Sequence, residues 1–223
     1  MPRSQRRILT LTQVLDAAAA VLEREGYAGL TMRAVAGELG VQAPAIYWYV
    51  KDKQTLELAL FDHLQAALVF EPEGEDWRED LRRMGETLRA FMLAHRDVVR
   101  LLPHGFFYTP RAMQRLDQVL GVLMAAGMAP RDAAYAFTTG FDYVAGWARG
   151  EADMRQRGPD QRPGLDEAAK AQIASGALPN VARAFATITD PGSLDEQFRF
   201  GLDALIAGFE RLIPGEAAAG PRP

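Results

Sequence analysis

Between Gln42 and Lys53 the chain spends its side chains on an amide, three consecutive aromatics and two lysines, and offers little to a core. An amide such as Gln42 can hydrogen-bond a base edge, most naturally adenine. The Tyr47 hydroxyl can reach a phosphate, with Tyr49 similar or slightly offset. Trp48 brings an apolar face for sugar or methyl contact and an indole N–H donor. Ala43 and Pro44 are small enough to let a helix approach closely and to meet a thymine methyl. Arg33 and Lys53 can neutralise phosphates, and free N–H groups at the helix start after Asp52 would add to that. This is the chemistry of reading nucleic acid, not of transforming a substrate.

The segment around them, GYAGLTMRAVAGELGVQAPAIYWYVKDK at 26–53, predicts a short helix, a glycine turn and a very short second helix from about Gln42 to Tyr49. A small helix held at an angle by a partner helix enters a major groove. Ile46 reads as core. Three successive aromatics on a helix span roughly 200° of arc, so Tyr47, Trp48 and Tyr49 cannot all be buried.

The elements that position these residues are helical throughout. Val14, Ala18, Val21 and Leu22 repeat at helical spacing after Thr12, a predicted N-cap, and Gly26 ends that helix. Thr31 caps the next, with Leu30, Val35 and Leu39 buried and Gly40 as its stop. Pro44 opens the third, and Asp52 caps a fourth running to about Val69. Further helices are predicted over 77–95, 97–102, 111–126, from Pro130 onward, over 178–188 and over 194–213. The 155–176 stretch reads as a mobile connection with a turn of helix near 167–173. No strand pattern stands out, so the expected fold is all-α with nine or ten helices.

Predicted boundaries are a helix-turn-helix head at 1–53 and a helical body at 54–213 whose first part, 54–69, is the connecting helix. A disordered tail is expected at 214–223. The chain has 223 residues, no cysteine and a net charge of −4. Disulfides, thiolate metal sites and cysteine nucleophiles are thereby excluded. The first 53 residues carry seven Lys/Arg against five Asp/Glu, a mildly basic head on an acidic body. MPRSQRR followed by ILTLTQVLDAAAAVL imitates a signal peptide. Gln13 and Asp16 interrupt its apolar run, and an amphipathic helix explains it better. No run of 18 apolar residues occurs, so no membrane partner is expected, and the cytoplasm is the expected compartment.

The stretch LTQVLDAAAAVLEREGYAGLTMRAVAGELGVQAPAIYWYVKDKQTLELAL resembles the DNA-binding domain of the TetR family of bacterial transcriptional regulators. The G-Y-x-G-L-T-x-R element, the L-G-V turn and the I-Y-W-Y-V-K-x-K run stand in the family's order and spacing. EGEDWREDL, AHRD at 94–97, AAGM at 125–128 and FGLDALIAGFERL are similar to the tetracycline-repressor branch. The resemblance implies a homodimer on a palindromic double-stranded DNA operator, usually as a repressor. It implies a small-molecule effector in the helical body, whose binding moves the fourth helix and releases the DNA. It carries the DNA contacts onto Arg33, Gln42, Ala43, Pro44, Tyr47, Trp48, Tyr49 and Lys53. It also implies a dimeric four-helix bundle from the helices starting at Pro130 and Leu194, with Gly140, Gly146, Gly201 and Gly208 permitting close approach.

In the resembled branch, tetracycline is held by a His late in the fourth helix, amides in the fifth and seventh, and a His and Thr that bind magnesium. Here those stretches read Ala66-Ala67-Leu68-Val69, Met84 and Val119, with Leu102 or His104 near the magnesium position. Apolar groups leave the drug's polar atoms unpaired, so neither tetracycline nor magnesium is expected, and no cofactor. A greasier ligand suits Met84, Leu88, Leu102, His104, Phe106, Leu116, Val119 and Phe137, with His63, Asp142 and Tyr143 as further polar anchors. An activator, or a regulator with a vestigial pocket, stays open. An all-α enzyme near His95 and His104 is the remote reading, since three histidines and no cysteine offer little catalytic chemistry.

Overall fold

The structure, a computed structural model, describes residues 9–74, 76–95, 97–101, 109–156, 166–189 and 194–214. Among the described residues there are ten α-helices and no strand. They are α1 (Leu11–Gly29), α2 (Met32–Glu38), α3 (Ala43–Ile46), α4 (Lys53–Leu64) and α5 (Trp77–Ala94), then α6 (Pro110–Ala125), α7 (Pro130–Gln156), α8 (Glu167–Ala174), α9 (Pro179–Thr189) and α10 (Leu194–Glu210).

The cap of α1 is Thr10 rather than Thr12. Its hydroxyl accepts the Gln13 N–H at 3.2 Å, while the Gln13 side chain takes the Thr10 N–H at 2.9 Å. This reciprocal pair satisfies two otherwise orphaned donors, which a cap at Thr12 would not do. Gly26 breaks the helix as expected, at φ 72° and ψ −178°, a backbone shape that a Cβ disfavours. Thr31 and Asp52 cap α2 and α4.

Several helices are shorter than the sequence suggests. α3 ends at Ile46, and both Tyr49 and Val50 turn their N–H groups back onto the Ile46 carbonyl. That turn drops Val50 into the core beside Ile46. α4 stops at Leu64 instead of about Val69 and tightens into a 3-10 turn over Gln65–Ala67. Leu68 and Phe70 are both buried, and the chain must leave helical register to turn both inward. The 97–102 helix is a 3-10 turn over Val98–Leu101, and α10 ends at Glu210 rather than Ile213. Residues 157–165 of the predicted connection and 215–223 of the predicted tail lie outside the described residues.

The head is a three-helix unit closed by Val14, Val21, Leu30, Val35, Ile46 and Val50. α4 packs on α1 at one side and approaches α6 at the other. Apolar contact is continuous from the head through Leu56, Leu60 and Phe61 of α4 to Met84, Phe91 and Met92 of α5. In the body α5 lies against α6, α7 and α10. A buried ion pair joins these layers. Arg89 Nε donates to Glu151 at 2.8 Å, Arg89 also meets Asp195 at 2.6 Å, and its guanidinium lies over the Phe198 ring.

Candidate nucleic-acid interface and ligand pocket

The outward face of the head is built by what its core excludes. Ile46 and Val50 take the inner side, so the chain between them must present its other residues outward. Gln42 is the N-cap of α3, but its side chain makes no capping bond, which leaves the exposed amide available. Pro44 is exposed in the first turn, with Ala43 half-buried. Tyr47 is 53% exposed and Trp48 89%. Tyr47 and Trp48 stand side by side and open, an exposed aromatic patch of the kind that marks an interaction surface.

Arg33 is exposed on α2 with no ion-pair partner among the described residues. Lys51 is also exposed. Lys53 stands over the Tyr27 ring at 4.6 Å and 3.5 Å from Glu57, which fixes its stem at the edge of the same face. Arg24, by contrast, is spent on Glu25 and Glu38.

Two expectations at this face need correction. Tyr49 is half-buried, and its hydroxyl donates to the Leu9 carbonyl at 2.5 Å, so it braces the chain entering α1 instead of offering a free phenol. The start of α4 is not an open anion seat either. The Asp52 carboxylate takes the Thr55 N–H at 2.7 Å and its hydroxyl at 2.8 Å, and these bonds hold that carboxyl below the usual range. A negative charge already occupies that helix terminus.

The body holds a partly open cavity of about 110 Å³ between α4, α5, α6, α7 and α10. Met84, Leu88, Leu116, Val119 and Phe137 line it, as the sequence suggests. Leu102, His104 and Phe106 lie outside the described residues. The proposed anchors His63, Asp142 and Tyr143 do not line it. His63 faces Asp16 of α1 at 2.8 Å, Asp142 is exposed, and the Tyr143 hydroxyl donates to the Phe198 carbonyl at 2.8 Å.

The polar groups in the wall are Gln65 and Arg115, which sequence reasoning missed. Arg115 sits in the stripe Ala112, Arg115, Leu116, Val119 and Leu123 on α6, all of which line the cavity. That spacing puts a cation on the apolar face and was a readable signal. Gln65 left no such trace, because it turns inward only where α4 tightens. Burial lowers the Arg115 pKa, the neighbouring Arg111 charge adds to this, and Asp62 works the other way.

Two links tie the body to the head, and a third joins α4 to α6. Asp62 of α4 accepts from the Arg111 N–H at 3.0 Å and from its guanidinium at 2.6 Å at the start of α6. The next residue, His63, reaches back to Asp16. Asp97, just before the 98–101 turn, accepts the Tyr27 N–H at 2.8 Å, directly after the Gly26 break. Asp97 holds a left-handed φ of 58°, which is uncommon outside glycine.

A three-helix head with an exposed aromatic turn, one connecting helix and a helical body around an apolar cavity are the parts of a helix-turn-helix regulator. The chain matches the description "Bacterial regulatory proteins, tetR family" over residues 14–60 and "Tetracyclin repressor-like, C-terminal domain" over 71–213. It is 32% identical to the tetracycline repressor protein class G of Vibrio anguillarum, across 89% of this chain and 92% of that protein. It is 29% identical to the HTH-type transcriptional repressor DrrR1 of Streptomyces coeruleorubidus, across 97% of this chain and 84% of that one. Its fold is similar to that of the Streptomyces coelicolor TetR family protein ActR in complex with actinorhodin, with a TM-score of 0.79 and 26% identity. That match covers 95% of this chain and all of the other. A TetR variant from Acinetobacter baumannii AYE in complex with minocycline matches at a TM-score of 0.69 and 29% identity, over 92% of this chain and 98% of that one.

The chain belongs to the TetR family. It is a DNA-binding transcriptional regulator, and the relatives are regulators, not enzymes. Among the described residues no three His, Cys, Asp or Glu side chains gather as metal ligands, and no helix is long and apolar enough to cross a membrane.

Proposed function

We propose that this protein is a homodimeric repressor that leaves a palindromic operator when a mostly apolar ligand enters the body. The observation that carries this reading is the position of α4. Its C-terminal end and the turn after it form part of the cavity wall through Phe61, Gln65 and Leu68, while its N-terminal end follows directly on the groove-reading turn. A ligand that displaces that wall must tilt the same helix that carries Lys53.

Arg33, Gln42, Ala43, Pro44, Tyr47, Trp48 and Lys53 are the proposed DNA contacts, with Tyr49 supporting them from behind. The dimer uses the open faces of α7 and α10. α7 exposes Tyr135, Asp142, Gly146 and Arg149 at one-face spacing, and α10 exposes Phe200, Ala204, Ala207 and Gly208. Phe200 is 78% exposed, and nothing lies within 4 Å of a Cβ built at Gly146 or Gly208. Such faces let helices approach closely across a two-fold axis, which presents two heads to two half-sites. Gly140 and Gly201 drop out of this set. Gly140 lines the cavity, and a Cβ on Gly201 would overlap the Tyr143 hydroxyl within the same chain.

The relatives named for tetracycline raise that drug as an effector. The lining here is apolar apart from Gln65 and Arg115, and a polyhydroxylated drug bound to magnesium would leave many groups unpaired. We therefore propose a different effector. Acting on DNA, the protein works in the cytoplasm.

The test is binding to a palindromic fragment from the protein's own promoter region, followed by fluorescence anisotropy. Binding should weaken steeply with salt and disappear in the Tyr47→Ala, Lys53→Ala double variant. Parental affinity in that double variant sinks the assignment of the reading face. Release by tetracycline with magnesium at micromolar concentration would refute the proposed effector class.

A further inference from the structure

We infer that the effector is an anionic amphiphile, an apolar body bearing a carboxylate or an equally acidic oxygen, seated with its head at Arg115 and Gln65. The inference rests on the pocket reading above and names the chemistry of its ligand.

Arg115 spends one of its nitrogens on the Gln65 backbone carbonyl, at 2.5 Å. Its Nε is buried and has no hydrogen-bond partner. No carboxylate pairs with it among the described residues, because Asp62, the acidic group nearest in charge effect, is taken up by Arg111 at 2.6 Å. Its guanidinium lies 5.4 Å from the centre of the Phe70 ring, another lining side chain. Gln65 is 4% exposed, and its side-chain Nε2 is likewise buried without a partner. Two donors of adjacent residues in space, one cationic, therefore stand unsatisfied in the wall of one apolar chamber.

A guanidinium cannot shed its proton to escape such a place. Arg115 is half-buried, but its Nε and the Gln65 Nε2 are buried N–H groups without an acceptor, and such groups are ordinarily satisfied. A carboxylate supplies both what Arg115 lacks in charge and what the two N–H groups lack as acceptor. A guanidinium favours a planar oxyanion over a neutral oxygen, and charge-assisted bonds are the stronger ones. The rest of the lining, Met84, Leu88, Val119, Phe137 and Phe141 among it, asks for hydrocarbon or an aromatic body. A cationic amphiphile is disfavoured by the same charge.

This assignment also gives the ligand a lever. Gln65 lies in the turn that ends α4, and Arg115 lies on α6 four residues after Arg111, which holds Asp62 of α4. An anion drawn between Arg115 and Gln65 competes for the guanidinium with the Gln65 carbonyl and so acts on the end of α4.

The experiment compares matched acid and amide probes, 2-naphthoate with 2-naphthamide and decanoate with decanamide, by titration calorimetry against the full chain and by release of bound operator. The acids should bind about ten- to a hundredfold more tightly than their amides, the range for one charge-assisted contact. Arg115→Met should remove that preference while keeping amide binding, and Arg115→Lys should restore part of it. Gln65→Leu should weaken the acids by a smaller factor. Equal binding of acid and amide by the parent overturns the anion seat and leaves the apolar pocket standing. Binding of none of the four overturns both. Should Arg115→Met fail to fold, the parent comparison and Arg115→Lys still decide the matter.

Discussion

Replacing Asp97 tests whether head and body are mechanically joined. Its carboxylate accepts the Tyr27 N–H at 2.8 Å, and its own backbone sits at φ 58°. Three terms follow, the smallest being the pair with the exposed Arg100 at 3.6 Å, worth under about 1 kcal/mol. Losing the acceptor orphans a part-buried amide, which costs about 1–3 kcal/mol. The left-handed backbone disfavours a Cβ-bearing residue by about 1–2 kcal/mol, with Asp and Asn the most tolerant. Asp97→Ala combines the lost bond with the less tolerant side chain, so it should destabilise by about 2–4 kcal/mol. Asp97→Gly loses the bond but relieves the backbone, for a net of about 0–2 kcal/mol. Asp97→Asn keeps an oxygen and the tolerance, and should lose less than about 1 kcal/mol. Urea unfolding followed by tryptophan fluorescence measures all three, with an unchanged denaturant slope as the control. Operator affinity is the second readout. Asp97→Gly should bind DNA more weakly than its small stability loss explains, because the head is no longer held at its break. Equal destabilisation by Ala and Gly refutes the backbone term. Parental operator affinity in Asp97→Gly refutes the joint itself.

Other substitutions separate reading from folding. Trp48→Ala should leave stability within about 0.5 kcal/mol of the parent, since the side chain is 89% exposed, yet weaken operator binding in a mobility-shift titration. A large stability loss there would place Trp48 in the core instead. Glu151 is 1% exposed and pairs with Arg89 and Arg155, and Arg89 keeps Asp195 when it is lost, so Glu151→Leu should destabilise by about 1–3 kcal/mol in urea. Adding Arg89→Met should recover part of that loss, because without Glu151 the half-buried guanidinium keeps only the largely exposed Asp195 as its partner. Asp80 is 2% exposed and accepts from the Glu73 and Gly74 N–H groups and from Arg83. Burial works against its charge, but those bonds prevail and hold its carboxyl below the usual range, as the bonds from Arg111 do for Asp62. Their contributions are complete above the unfolded aspartate pKa of about 4 and fade as pH falls through the lower folded values. Thermal unfolding across that range should show an acid loss of stability that Asp80→Asn makes shallower.

The exposed turn of the head was legible because its signal is local. Gln42, Tyr47 and Trp48 stand within a few residues of Ile46 and Val50, and a short turn cannot bury all of them. The helices were legible for the same reason, through spacing and the caps at Thr31 and Asp52. Helix ends were less so. Whether α4 stops at Leu64 depends on Leu68 and Phe70 finding burial, and whether Thr10 or Thr12 caps α1 depends on one side chain, Gln13, reaching back. The pocket was half legible. Apolar residues such as Met84, Val119 and Phe137 announce burial, but burial alone does not tell a packed core from a lined chamber.

The polar groups of the body were the hardest to place. His63, Tyr143 and Asp142 read as equal candidates along the chain, and their fates differ: one reaches α1, one bonds the α10 backbone, one faces solvent. Gln65 and Arg115 are fifty positions apart and meet only because α4 and α6 pack side by side. Sequence by itself determined the all-helical class, the family and which turn of the head stands out from the core, since helix periodicity, capping and a solvent-facing turn are settled by near neighbours. Tertiary structure alone decided which donors are left unsatisfied inside the body and which contacts join head to chamber, because hydrogen-bond satisfaction is a property of residues brought together by packing across long stretches of chain.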